Sequence, residues 1–284
     1  VKSNLNLPTD KKIILFDGVC NLCNSSVIQV INRDKKNIFL FTALQSETGQ
    51  KITENLGIDT TKIDSIISLL TLEEKVDLCH AQSKFSTKGV DRLGIPEIWM
   101  SDGPHGVRAE ISWDSWDYAG WTNDSITAFP ALTCLASTFN PDLANQFGIA
   151  IGEEAKYRKK DVLLGPGVNI YRTPMNGRNF EYMGEDPFLA STMVVPYIKG
   201  VQKNGVAACI KHYVLNNQEL WRDHINVEIS DRALNEIYLP AFKAAVIEGG
   251  SWTLMGAYNK FRGQHCCHHE ILLNSILKED WKKI

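Results

Sequence analysis

Apolar and polar positions along the 284-residue chain fall into two regimes. Up to about residue 67 they alternate quickly. A strand-like "IILF" (13–16) precedes a helical pattern with Val27, Val30 and Ile31 on one face. Strand-like "IFLFTAL", a second helical pattern from Gly49 to Leu56 closed by Gly57, and a short apolar "IISLL" follow. This spacing predicts a small βαβ unit with parallel pairing over residues 1–67, with few and short elements to supply a core.

From about Leu70 the units lengthen. "TLEEKVDLCHA" predicts an amphipathic helix with acidic residues in its first turn. "NPDLANQFGIAIGEEAKY" predicts a helix capped by Asn140, with Pro141 at its first position. "IPEIWM", "DVLLGPGVNI", "GVAACIKHY" and "WTLMGAY" read as strands, the last three apolar and β-branched like buried parallel ones. "SDRALNEIYLPAFKAAVIEGG" predicts a long helix with Ser230 as cap, kinked at Pro240 and stopped by paired glycines. Strand, polar loop, helix, repeated, is the pattern of a (β/α) barrel or a doubly wound sheet over residues 68–284.

In such folds the chemistry belongs at the C-terminal ends of the strands, where the polar clusters of this chain fall. Asp102 follows "IPEIWM" and can accept from two adjacent ligand hydroxyls, or bond its own turn. Arg178 in "GRNFEY" can serve a ligand or pair with Glu181 or Glu185. Lys211 and His212 are consecutive, and neighbours on a regular strand point to opposite faces. Both reach one ligand only if the strand leaves regular geometry there. Arg222 lies in the loop beyond, as a ligand contact or an exposed helix-start residue. Met255 and Tyr258 in "LMGAYN" can offer an apolar wall and a hydroxyl, or pack as core.

Composition narrows the function classes. The chain is 44% hydrophobic and 22% charged, with a formal net charge of −3. No basic footprint points to nucleic acid, and no apolar run is long enough to cross a bilayer. "VKSNLNLPTDKK" lacks the apolar core and cleavage site of a secretory signal, so the sequence as written predicts a cytoplasmic protein. Seven cysteines in this length read as reduced thiols rather than a disulfide scaffold. Cys20 and Cys23, in "DGVCNLC" after a predicted strand, form a CxxC whose first thiol a helix N-terminus would stabilise as thiolate. "HCCHHE" (265–270) is rich in soft ligands, but zinc ligands come as spaced pairs, so no metal and no cofactor are expected.

The clusters "MSDGPHGVR", "GRNFEYMGEDP", "KHYVLNNQELWRDH" and "GAYNKFRGQ" occur in the order found in the N-terminal barrel domain of glycoside hydrolase family 3, which residues 70–284 resemble. The resemblance implies an incomplete (β/α)8 TIM-type barrel and a β-glucosidase-like retaining hydrolase acting on β-linked glucosides. Asp102, Arg178, Lys211, His212, Arg222, Met255 and Tyr258 would contact the carbohydrate. Members of that family are often periplasmic or secreted. Glu181, Glu185, Asp186, Glu219 and Asp223 would have structural or loop-ordering roles, where any. Retaining hydrolysis needs two carboxyl groups about 5 to 5.5 Å apart. The resemblance places the nucleophile aspartate and the acid/base glutamate after "EILLNSILKEDWKK", beyond Ile284. Asp280 in that segment shares helical spacing with Leu273, Ile276 and Leu277 and is no substitute. The expectation is therefore a binding site without its catalytic pair, inactive in this chain. A full barrel runs about 250 residues, so "WTLMGAY" should be an open edge inviting self-association.

Residues 12–66 resemble instead the front of a DCC-type thiol-disulfide oxidoreductase, through "LFDGVCNLCN" and "FTALQS". That implies a partial thioredoxin-like segment with Cys20 and Cys23 as redox pair. The join near Ser65–Leu70 has no Pro/Gly/Ser-rich linker, so a non-functional chimera of two partial genes is a third expectation.

Overall fold

A computed structural model describes residues 12–16, 39–43, 60–120 and 125–281. Two compact units divide the chain, residues 1–76 and 77–284. In the first, β1 (Lys12–Phe16) pairs in parallel with β2 (Phe39–Ala43). The predicted helices around Val27 and Gly49, and both Cys20 and Cys23, lie outside the described residues. The short apolar run "IISLL" lies at the end of α1 (Thr60–Leu69). Its apolar positions, Ile63, Ile66, Ile67 and Leu70, follow the spacing i, i+3, i+4, i+7 of one helix face, which a short apolar run conceals.

Helix α2 (Leu72–Asp77) opens on a reciprocal capping box. Glu74 N donates to Thr71 Oγ1 at 3.2 Å, and Thr71 N donates to Glu74 Oε2 at 2.8 Å. The helix is shorter than "TLEEKVDLCHA" predicts. Ala81 to Ser83 form β3, which pairs antiparallel with β4 (Ser86–Thr87), and local hairpin pairing there outweighs helical propensity.

The second unit is built on a six-stranded mixed sheet. The remaining strands of that sheet are β5 (Ile98–Asp102), β6 (Val162–Leu164), β7 (Ala207–Tyr213) and β9 (Thr253–Gly256). Strand order is β3-β4-β5-β6-β7-β9, antiparallel up to β5 and parallel from β5 to β9. A small second sheet joins β8 (Asn226–Val227), β10 (Lys260–Phe261) and β11 (Gln264–His265). Between β5 and β6 come α3 (Leu132–Ala136) and α4 (Pro141–Tyr157). Helix α5 (Pro187–Gln202) joins β6 to β7, and α6 (Asp231–Ala233) and α7 (Pro240–Ile247) join β8 to β9.

Alternation along the parallel strands sorts their side chains. Leu163, Ala208, Ile210 and Tyr213 join the large core formed with α4, α5 and α7. Val162, Leu164, Ala207 and Cys209 face the other way, packed with Phe85, Met100 and Met255. Both faces are thus covered, which is why these strands read as continuous apolar runs. The regular strand in "DVLLGPGVNI" ends at Leu164, before Pro166, which has no N–H to donate; the segment still meets β7 through a Gly167–Lys211 bridge, and residues 162 to 170 are all buried.

The helix ends follow the sequence. Asn140 Oδ1 accepts from Asp142 N and Leu143 N at 3.0 and 3.2 Å, and Ser230 Oγ accepts from Ala233 N at 3.2 Å. At Pro240 the predicted kink takes a definite form. Wide turns of π type over Leu234–Tyr238 precede it, and a new α-helix starts at the proline. Helices α4 and α5 cross on glycines: a Cβ on Gly148 would strike the Tyr197 carbonyl, and one on Gly200 the Asn145 carbonyl.

Candidate functional site

The C-terminal ends of β5 and β7 bring charged residues together across the sheet. Asp102 ends β5. The chain can turn there because Gly103, at φ 130°, adopts a backbone that a side chain would resist, and a Cβ would also meet the Gly106 carbonyl. Lys211 Nζ reaches Asp102 Oδ1 at 2.8 Å and Glu181 Oε2 at 3.6 Å. Arg178 Nη2 lies 2.7 Å from Glu181 Oε1, and Arg178 Nη1 lies 2.6 Å from Glu219 Oε2. Arg222 Nη1 holds the other Glu219 oxygen at 2.9 Å, and Arg108 Nη1 stands 3.7 Å from Asp102 Oδ2. Arg178, Glu181, Lys211 and His212 are all buried, whereas the Asp102 side chain is 38% exposed.

Regular strand geometry lapses where the consecutive pair needs it to. The β7–β9 ladder shifts register between Ile210 and Tyr213, and both neighbouring side chains reach the Arg178–Glu181 pair. The peptide joining Lys211 to His212 is cis. Asn169 brackets that stretch: its Oδ1 accepts from His212 N at 2.8 Å, and its Nδ2 donates to His212 O at 3.0 Å.

The electrostatics separate two neighbouring carboxylates. Burial would raise the Asp102 carboxyl, but Lys211 and Arg108 outweigh it and hold it below the usual range. In Glu181 burial wins over Lys211 and Arg178, and its carboxyl is pushed up. Burial first, then the charges of Lys211, Arg178 and Arg222, drives His212 well below the ordinary histidine value. His105 is lowered by burial and by Lys211.

These groups border a cleft of about 570 Å³ lined by Asp102, His105, Arg108, Arg178, Glu181, Glu219 and Arg222, among others. It has the size of a small-molecule site. Of the residues singled out in the sequence, Asp102, Arg178 and Arg222 line it, and Lys211 and His212 contact its lining. Met255 instead packs in the interior cluster with Val162 and Cys209. Tyr258 is about half exposed, and the Arg222 guanidinium sits 4.7 Å over its ring. Arg178 does pair with Glu181, one of the two structural partners the sequence offers. Glu181 joins Arg178 to Lys211 and is central to the cluster, not merely loop-ordering; its signal in the sequence is its position three residues after Arg178.

Beside the cleft, the segment from Glu110 to Ala119 folds back on itself, with Ala119 N donating to Glu110 O at 2.9 Å. Glu110 is tied to buried Lys160 at 2.6 Å. Arg108 lies 5.3 Å over the ring of exposed Trp116. In "HCCHHE", Cys266 is buried, and its thiol is pushed up to about 11 by that burial. Among the described residues, no three of His, Cys, Asp and Glu are arranged to hold a metal ion. Nor does any described helix have the length and apolarity to cross a membrane.

Residues 43–282 match the family model described as glycosyl hydrolase family 3 N terminal domain. Over 220 residues, 78% of the chain, the sequence is 71% identical to beta-glucosidase BoGH3A of Bacteroides ovatus, of which it covers 30%. It is 44% identical over 220 residues to thermostable beta-glucosidase B of Acetivibrio thermocellus, covering 77% of this chain and 29% of that enzyme. The structure of beta-glucosidase 3B from Thermotoga neapolitana in complex with alpha-D-glucose superposes with a TM-score of 0.70 at 42% identity. That match covers 78% of this chain and 33% of the other. The chain thus spans about 30% of the length of the curated relatives it matches.

Proposed function

The chain belongs to glycosyl hydrolase family 3, and from that premise we propose that residues 77–284 carry the sugar-binding site of a β-glucosidase-type hydrolase with an incomplete (β/α)8 architecture. The observation that carries this reading is the Asp102–Lys211–Glu181–Arg178 cluster bordering the 570 Å³ cleft. A pyranose offers neutral hydroxyls at fixed spacing on a rigid ring. Asp102, kept ionised by Lys211 and Arg108, accepts from two adjacent hydroxyls through charge-assisted bonds. Lys211 has three protons and two carboxylate partners, so one remains for the ligand. Arg222 lines the cleft with its guanidinium over the ring of exposed Tyr258, and His212 contacts Arg178. Retaining hydrolysis adds a nucleophile and an acid/base carboxyl. By resemblance these come from sequence following the Ile271–Asp280 helix, so recognition is what the described residues contribute.

Titration calorimetry with glucose tests this reading. The wild-type chain should bind, and Asp102→Asn should weaken the Kd by about tenfold or more, as loss of a hydrogen bond to a charged group does. Absence of any glucose binding by the folded wild-type chain would sink the proposal.

A separate proposal concerns the first unit: thiol-disulfide exchange through Cys20 and Cys23. Its support is the parallel β1–β2 pairing, since parallel strands need a crossover connection and the CxxC stands at the start of that stretch. Dithiol-dependent insulin reduction by the chain, abolished by Cys20→Ser, is the expected result. Reduction unaffected by that substitution refutes it.

A further inference from the structure

We infer that Tyr182 is a positioning residue: it fixes His212 as the Nδ1–H tautomer, so that Nε2 serves as the acceptor that orients Arg178. Two independent constraints meet in the imidazole. At one end, Tyr182 Oη has a single proton and sits in a short contact with the Asn216 carbonyl, which can only accept. The same Oη lies 3.1 Å from His212 Nδ1, so with its proton committed it accepts there, and Nδ1 carries hydrogen. At the other end, Arg178 Nη2 lies 3.2 Å from His212 Nε2. A guanidinium only donates, so Nε2 must present its lone pair.

The result is a one-way chain of hydrogen bonds. Arg178 Nη2–H donates to Nε2, Nδ1–H donates to Tyr182 Oη, and Tyr182 O–H donates to the Asn216 carbonyl. Every member of the chain is buried. The surrounding charges agree: burial, Lys211, Arg178 and Arg222 all disfavour a protonated ring. The Nη2 edge of Arg178 is thereby shared between Glu181 and His212, while Nη1 goes to Glu219. The guanidinium that borders the cleft is held from three sides, and the most distant of these holds runs through a tyrosine hydroxyl. His212 therefore has no part as a proton donor at Nε2.

Nitrogen-15 NMR of the imidazole tests this in the wild-type chain near neutral pH. The expected spectrum has His212 Nδ1 protonated and Nε2 unprotonated, with a slowly exchanging Nδ1 proton. An Nε2–H tautomer or an imidazolium overturns the inference without any variant being made. In Tyr182→Phe, which keeps the buried ring, the Nδ1 proton should exchange at least tenfold faster and glucose affinity should fall about fivefold. Unchanged exchange in that variant would remove Tyr182 from the role. The tautomer does not depend on which ligand the cleft takes. Only the affinity arm rests on the carbohydrate reading, so the two can fail separately.

Discussion

Lys211→Met should lower the unfolding free energy by about 3 kcal/mol at neutral pH, the low end of what removing one partner of a buried ion pair costs. The side chain is almost fully enclosed and faces two carboxylates, Asp102 at 2.8 Å and Glu181 at 3.6 Å. Methionine fills a similar volume but leaves both carboxylates without that cation. Arg178 still serves Glu181 and Arg108 still serves Asp102, and Asp102 is partly solvated, which keeps the cost from the top of the range. The deficit should depend on pH with a definite sign. The Glu181 carboxyl is already raised by burial, and losing Lys211 raises it further. A carboxyl whose folded pKa exceeds its unfolded value binds more protons when folded, so stability falls as pH rises through the folded pKa. Asp102 is held low in the wild type. Its stabilising contribution is present above its unfolded pKa and is lost as pH falls through the folded one. Without Lys211 that contribution shrinks. The variant should therefore approach the wild type as pH is lowered toward the carboxylate range. Urea unfolding of both proteins across pH reads this directly, and a gap that stays constant with pH would show that Lys211 acts by packing alone.

The second large effect concerns the helix crossing. Gly200→Ala should lower Tm by about 4–8 °C, corresponding to roughly 2 kcal/mol for a unit of this size. Helical propensity argues the other way, since alanine gains about 1 kcal/mol over glycine inside a helix. What decides the sign is the neighbour. A Cβ on Gly200 meets the Asn145 carbonyl and, at 2.8 Å, Ile149 N. Both are backbone atoms of α4, which cannot rotate away as a side chain could. Relief requires moving α4 from α5, and Phe147 and Ile151 from the core they share with Tyr197 and Val201. A Tm equal to or above the wild-type value would mean that the helices part without cost.

Local chemistry was the part of this structure that the sequence displayed best. Asn140 with Pro141, and Ser230, carry their capping roles in their own residue types, and the structure places them as read. The parallel strands were visible because both faces are buried. Asp102, Arg178, Lys211 and Arg222 stood out as charged residues in the polar clusters that follow the predicted strands, with ligand and structural roles both open. Elsewhere one-dimensional spacing was not enough. "IISLL" read only as a short apolar run, because five residues do not separate a period of two from one of 3.6. The central place of Glu181, and the contribution of Tyr182 and Asn169, come from tertiary contacts between segments some 30 to 43 positions apart in sequence, and no local pattern announces them. Met255 packs against Val162 and Cys209, the core alternative that its place in a strand also offered.

The ion pairing at the cleft also sets what kind of ligand it can favour. Arg108, Arg178, Arg222 and Lys211 each already face a carboxylate. If the cleft takes a neutral sugar, as proposed, the ligand enters without changing that balance, and its capture should draw no benefit from long-range attraction and be indifferent to ionic strength. A phosphorylated sugar would have to share a cation with Asp102, Glu181 or Glu219, each of which already holds two. On the carbohydrate reading, the cleft thus meets a neutral ligand with its own charges already matched before that ligand arrives.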